Sequence, residues 1–235
     1  MSRPARRWAV VVAAGRGERF GGSTPKQYTL LLGRPALSWS LAALLASPAV
    51  DGVVVALAPR DRRWKRLAES RSPRISTCVG GDRREASVSN ALLSLAARAH
   101  DDDWVIVHDA ARPCLRREDL DKLIAATRRD PVGGLLAIPV PDTLKVNDGR
   151  GRSARTADRS VLWRALTPQI FRYGLLRRAL ALCVERERVV TDEASAVEAL
   201  GLRPRLVQGR GDNIKLTTPA DRVLAEAILR AGRRT

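Results

Sequence analysis

Trp8–Lys26, WAVVVAAGRGERFGGSTPK, runs an apolar segment directly into a glycine-rich turn that carries two fixed cations, Arg19 and Lys26. The continuous apolar run from Trp8 to Ala14 has the pattern of a strand buried on both faces of a parallel sheet. Gly15 and Gly17 let the backbone turn tightly enough for its N–H groups to approach phosphate oxygens. The stretch therefore predicts an α/β fold whose first strand ends in an anion site suited to a nucleoside triphosphate. Two other glycine loops fit less well. Gly15-Arg16-Gly17-Glu18-Arg19-Phe20 begins like a dinucleotide fingerprint, but Phe20 stands where the third glycine would allow close helix–strand packing. A P-loop closes on Gly-Lys-Ser/Thr, whereas Lys26 lies between Pro25 and Gln27.

The 235 residues, 45% of them hydrophobic, suffice for a single domain with its own core. No apolar run approaches the roughly 20 residues that span a bilayer. The basic start and short apolar run of MSRPARRWAVVVAAG imitate a signal peptide, but cleavage there would destroy the first strand. Cys78, Cys114 and Cys183 are widely spaced and form no CxxC, so reduced thiols in a cytoplasm are expected rather than disulfides or a zinc site. The net charge of +17 comes from arginine, since only five of the 42 basic residues are lysine. Such a charge raises the possibility of nucleic-acid binding. The arginines are scattered, however, and the terminal basic clusters lack interleaved aromatics, which total 4%; a solvated, arginine-biased surface explains them better.

Strand candidates Gly52–Ala58, Ile75–Val79, Trp104–His108 and Gly133–Pro139 alternate with helical segments, the rhythm of a mainly parallel, Rossmann-like sheet flanked by helices. Val88, Ala91, Leu92, Leu95 and Ala99 keep a helical spacing between the third and fourth of the five. Thr218 as N-cap, Pro219 and Asp221 signal a last helix. Residues 140–162 break the rhythm: they are polar, contain Asn147-Asp148-Gly149 as a turn, and are read as a β-arm protruding from the globular body.

In an open parallel sheet ligands bind beyond the carboxyl ends of the strands, so the residues there are the candidates. Gly80-Gly81-Asp82 permits close backbone approach, and Ser87 can bond a base edge; alternatively Asp82 merely caps a helix. Asp109 sits at a strand end where Mg²⁺ on a triphosphate would lie. His108 closes an apolar strand and is read as structural; neither it nor His100 has a Cys or Ser partner for a nucleophilic triad. Asp212 and Lys215 supply a second carboxylate and another cation, and Thr191-Asp192-Glu193-Ala194-Ser195 has a plain reading as a helix cap.

These motifs, in this order, resemble the 2-C-methyl-D-erythritol 4-phosphate cytidylyltransferases: AAGRGERF, Pro25-Lys26-Gln27-Tyr28, Gly80-Gly81-Asp82, Val107–Pro113, Pro141–Lys145, Thr167-Pro168-Gln169, Thr191–Ser195 and Asp212–Lys215. The resemblance covers nearly the whole chain. It departs at Val12, where the family usually has proline. It implies a fold of the nucleotide-diphospho-sugar transferase type and transfer of CMP from CTP to 2-C-methyl-D-erythritol 4-phosphate in isoprenoid precursor synthesis. It further implies Arg19, Lys26 and Lys215 as catalytic cations, and CTP contacts from Ala13, Ala14, Gly15, Gly17, Gly81, Asp82, Ser87 and Ala110. Acceptor contacts would come from Asp109, Arg112, Thr143, Arg159 and Thr167, and Mg²⁺ or another divalent cation would be oriented by Asp109 and Asp212. Interlocked arms of a homodimer are also implied, with Thr143 and Arg112 reaching the neighbouring subunit's acceptor. Membrane and nucleic acid are not expected as partners. A cytidylyltransferase for another polyol phosphate, such as ribitol 5-phosphate, and a basic nucleic-acid-binding protein are the alternatives.

Overall fold

The computed structural model describes residues 3–15 and 24–232; Gly17 and Arg19 lie outside the described residues. A seven-stranded sheet forms the centre, in the order β11-β7-β10-β6-β1-β4-β5. Its strands are β1 (Arg7–Ala13), β4 (Gly52–Leu57), β5 (Ile75–Val79), β6 (Trp104–Asp109), β7 (Gly133–Pro139), β10 (Trp163–Arg172) and β11 (Arg205–Gln208). The five strands read from the sequence are all present, within a residue or two of their expected ends. Only β10 runs antiparallel to its neighbours.

Alternation along β1 shows how the sheet is buried. Ala9, Val11 and Ala13 face a core that holds Leu37, Leu41 and Leu44 of α1 (Ala36–Ala46) and Leu120 and Leu123 of α3 (Arg117–Thr127). Trp8 and Val10 face the opposite core, with Val88 and Leu92 of α2 (Arg84–Ser94), Leu176 and Ala179 of α4 (Tyr173–Glu185) and Val197 of α5 (Glu193–Glu198). Both faces are thus covered by helices, as a parallel sheet requires. A third cluster seats α6 (Ala220–Gly232), through Ala225 and Leu229, on Leu31, Ala36, Cys114 and Leu216. That helix starts a residue later than its sequence signal, and the cap bonds run backwards: the Asp221 carboxylate accepts from the Thr217 and Thr218 N–H groups and the Thr218 hydroxyl.

β10 was not legible in the sequence because Pro168 interrupts it, and proline is normally excluded from a central strand. The structure resolves the conflict locally. The register slips between Ala165 and Gln169, and the Thr167–Pro168 bond is cis. Beyond the sheet, β2 (Leu30–Leu31) and β3 (Arg34–Pro35) form a small hairpin. Within residues 140–162, β8 (Lys145–Asn147) pairs antiparallel with β9 (Ser153–Thr156). The Asn147 side chain accepts from the Gly149 and Gly151 N–H groups and Asp148 from those of Arg150 and Arg152, which closes the turn at the hairpin tip. The expected arm is therefore an ordered hairpin with both strands almost wholly exposed.

Among the described residues no helix is long and apolar enough to cross a membrane. Cys78, Cys114 and Cys183 are free thiols, and burial pushes the Cys114 thiol up to about 12.

The seam that admits β10 makes a sharp demand on β7. Gly133 adopts φ +111°, and a Cβ there would collide with the Ile170 carbonyl and meet Phe171 Cδ1 at 3.0 Å. Gly133→Ala is expected to destabilise the fold by roughly 3 kcal/mol, the sum of backbone strain and overpacking. Urea unfolding measures this, and a loss under about 1 kcal/mol would show that the seam adapts.

Candidate active site

Strand order reverses beside β1: the chain runs outward through β4 and β5, then crosses back to β6 on the other side. Crevices form at such a point, beyond the carboxyl ends of the strands. The ends of β1 and β6 lie side by side there, with Val12 opposite Asp109 and the Ala110 N–H donating to the Val12 carbonyl. The bond uses only backbone at residue 12, which accounts for valine being acceptable at a position the resemblance fills with proline.

The crevice is an open cleft of about 180 Å³ that brings together Ala13, Gly15, Lys26, Gly81, Asp82, Ser87, Asp109, Ala110 and Lys215. Nine residues marked from sequence therefore meet on one surface. Ala14 lies just behind, and its Cβ leaves no room for a side chain at Gly80. At Gly81 a Cβ would stand 2.5 Å from that of Ala86, so the paired glycines do provide close backbone approach. The reading of Asp82 as a helix cap is not met: α2 has Arg83 at its cap position, and no side chain bonds there. Ser87 instead braces the turn, with its hydroxyl oxygen accepting from the Gly81 N–H at 3.0 Å.

Three side chains that sequence reasoning passed over complete the cleft's support. Gln27, 3% exposed, donates to the carbonyls of Ala13 (2.7 Å) and Gly15 (3.1 Å) and so ties the Lys26–Tyr28 segment to the end of β1. Arg84 lines the cleft and joins Asp109 to Glu193, which is buried at the start of α5. Gln27 and Glu193 stood within quoted motifs but drew no role, and Arg84 was one arginine in a chain crowded with them. The Thr191–Ser195 segment does cap α5, through a reciprocal Asp192–Ser195 box, and Gln169 holds that box to β10.

Asp109 is the electrostatic centre. Arg84 Nε approaches Oδ1 at 3.1 Å, Lys215 Nζ approaches Oδ2 at 2.8 Å, and Arg112 Nε stands 3.7 Å from Oδ2. Burial favours the protonated acid, but the Arg84 and Lys215 charges outweigh it and hold the carboxyl far below the usual carboxylate range. Lys215 is delivered by its neighbours: the Leu216 N–H donates to the Ala111 carbonyl, and Asn213 Nδ2 donates to the Thr167 carbonyl.

Thr167 and His108 stand behind this centre. The Thr167 hydroxyl oxygen accepts from the Asp109 N–H at 3.1 Å and lies 2.9 Å from His108 Nδ1, while His108 Nε2 lies 3.1 Å from the Arg112 carbonyl. A carbonyl only accepts, so Nε2 carries the proton, Nδ1 is the acceptor and the Thr167 hydroxyl donates to it. His108 is thus a structural residue, as read from sequence. Burial pulls its pKa down to about 4.

Besides Ala14 and Thr167, which stand behind it, four expected residues do not line this cleft. Arg112 turns away to donate to the Asn213 carbonyl at 2.8 Å. Thr143 and Arg159 lie exposed on the arm, where Arg159 donates to the Pro141 carbonyl. Asp212 is engaged by Arg116 at 2.9 Å and by Arg210 at 3.3 Å. Among the described residues no group of three or more His, Cys, Asp or Glu side chains stands ready for a metal. Few carboxylates in a cleft lined with cations fit a Mg²⁺ that arrives on a nucleotide's phosphates better than a resident metal held by protein alone.

The family model of the 2-C-methyl-D-erythritol 4-phosphate cytidylyltransferases matches residues 8–231. The chain is 55% identical over 215 residues to the enzyme of that name from Pseudomonas putida (strain GB-1), covering 91% of this chain and 92% of the relative. It is 54% identical over 228 residues to the one from Dechloromonas aromatica (strain RCB), covering 96% and 98%. A crystal structure of a 4-diphosphocytidyl-2C-methyl-D-erythritol synthase superposes with a TM-score of 0.84 at 38% identity, over 97% of this chain and all of that one.

The depressed pKa of His108 generates a pH prediction. Folded His108 stays neutral down to about pH 4, whereas in the unfolded chain it protonates near 6.5. Protons therefore favour unfolding between these values, and stability falls as pH drops through that window by roughly 3 kcal/mol. His108→Gln removes this component, so the stability gap between wild type and variant should narrow by about that amount between pH 7 and pH 4. A gap that does not change with pH would contradict a neutral, Nε2-protonated His108.

Proposed function

The chain belongs to the 2-C-methyl-D-erythritol 4-phosphate cytidylyltransferase family, and from that premise we infer that it transfers CMP from CTP to 2-C-methyl-D-erythritol 4-phosphate. The products are 4-diphosphocytidyl-2-C-methyl-D-erythritol and pyrophosphate. The observation that carries this reading is one cleft at the strand switch point holding Lys26, Lys215, Asp109 and the Gly81–Ser87 turn together. The relatives' names favour neither the ribitol phosphate alternative nor the nucleic-acid one.

In this reading the cytosine and ribose lie against Ala13–Gly15, Gly81, Asp82, Ser87 and Ala110, where backbone groups and short side chains allow close approach. The triphosphate extends toward Lys26 and Lys215, joined by Arg19. A phosphate oxygen of the acceptor attacks the α-phosphorus of CTP in line, a new P–O bond forms, and the bond to pyrophosphate breaks. Both reactants are anions, so fixed cations that offset repulsion and stabilise the five-coordinate phosphorus carry the catalysis. No covalent enzyme intermediate is required. Mg²⁺ borne on the triphosphate would neutralise part of its charge, and Asp109 and Asp212 are the carboxylates that would orient it. We place the reaction in a reducing cytoplasm, a reading supported by three free cysteines.

The arm extends the proposal to a second subunit. A two-stranded hairpin is marginal alone, and this one leaves Leu144, Val161 and Trp163 40%, 72% and 37% exposed around its base. A second copy related by a two-fold axis would cover them through the same surface on both chains. Thr143 and Arg159 would then belong to the partner's cleft and hold the acceptor there, while Lys26 and Lys215 act within their own chain.

Two experiments test the reading. Wild-type protein with Mg²⁺ is expected to release pyrophosphate from CTP and methylerythritol phosphate far faster than from any other triphosphate or from ribitol 5-phosphate, and Lys26→Ala should cut this turnover by roughly 10². Equal turnover with ribitol 5-phosphate would refute the acceptor assignment. Mixing Lys26→Ala with Thr143→Ala subunits should restore activity, because each heterodimer holds one undamaged shared site. Verified heterodimers without recovery would show that each site is built from one chain.

A further inference from the structure

Glu193, the first residue of α5, is 1% exposed. An ionised carboxylate so far from water is costly unless it is paired. Its partner is Arg84, whose Nη1 and Nη2 donate to the two carboxylate oxygens at 2.6 and 3.0 Å. A guanidinium is planar, so seizing both terminal nitrogens also fixes the direction of Nε. That nitrogen donates to Asp109 Oδ1 at 3.1 Å, which leaves Oδ2 to Lys215 at 2.8 Å. A chain of alternating charges thus runs from a helix start outside the cleft to the lysine inside it.

The start of α5 is itself immobilised. The Asp192–Ser195 box caps it, and Gln169 donates to Asp192 Oδ2 and accepts from the Ala194 N–H, each at 2.8 Å. Ala194, Ala196 and Val197 are buried in the core beneath. A buried ion pair adds little stability over apolar packing of the same volume, and α5 is already tied down by these other contacts. No residue of α5 lines the cleft, and Arg84 is the cleft side chain to which Glu193 hydrogen-bonds.

We propose that Glu193 is a positioning residue: by holding both terminal nitrogens of Arg84 it fixes the rotation of the Asp109 carboxylate and hence the direction from which Lys215 enters the cleft. The inference rests on reading this cleft as the site of CMP transfer.

Steady-state kinetics with CTP and methylerythritol phosphate test it. Glu193→Gln, which keeps the shape and loses the charge, is expected to lower kcat about tenfold or more with the KM for CTP within threefold. Arg84→Lys, which keeps the charge and loses the fork, should do the same, and Glu193→Asp should fall between Glu193→Gln and wild type. The deciding comparison places Glu193→Gln in an Asp109→Asn background, assayed with radiolabelled CTP. If Glu193 acts through Asp109, the second substitution changes kcat no more than twofold there. An equal fold-loss in both backgrounds, or folded single variants with wild-type kcat, would overturn the proposal. Should Glu193→Gln fail to fold, Glu193→Asp is combined with Asp109→Asn instead. A wild-type protein that releases no pyrophosphate would refute the assigned reaction, an outcome separate from either of these.

Discussion

A carboxylate buried at a strand end stays ionised only where cations surround it, and Asp109 imposes that condition on the whole cleft. Its oxygens take Arg84 from the start of α2 and Lys215 from the segment ahead of α6, with Arg112 from the turn after β6 behind them. Each of these cations is then fixed by something further off: Glu193 for Arg84, and the Ala111 and Thr167 carbonyls for the Lys215 segment. One ionised group thereby sets the mutual placement of elements far apart in sequence. Such networks are expensive to desolvate. Their retention here makes sense if the cleft has to present fixed charge to an anionic substrate without reorganising.

The hydrogen-bonded layer behind Asp109 serves the same end without charge. His108 and Thr167 satisfy each other, the Asp109 N–H and the Arg112 carbonyl, so the backbone on both sides of the carboxylate is held. The irregularity in β10 gains a purpose from this. The register slips where Thr167 meets the end of β6. A regular strand would have continued the ladder there.

What the sequence disclosed follows from the range of the forces involved. Parallel strands buried on both faces announce themselves as apolar runs, and the glycines that let backbone approach backbone are visible one by one; hence β1, the Gly80-Gly81 turn and the end of β6 were all legible. β10 was hidden because proline argues against a central strand unless a bulge removes the need for its N–H, and nothing local reveals the bulge. The roles of Arg84 and Glu193 were hidden for a different reason. They are separated by 109 positions, and only the fold brings them together. The same holds for Asp212, whose partner Arg116 lies 96 positions away in sequence.

With its oxygens engaged by Arg84 and Lys215, Asp109 is expected to matter more for turnover than for nucleotide affinity. Measuring both kcat and the Kd for CTP in Asp109→Asn protein tests it most directly. Removing one negative charge from a cleft of cations should leave CTP binding within a few-fold of wild type or tighter, while turnover falls by roughly 10² because Lys215 and Arg84 lose their shared anchor. Near-normal turnover, or a CTP affinity that falls as steeply as kcat, would contradict the account.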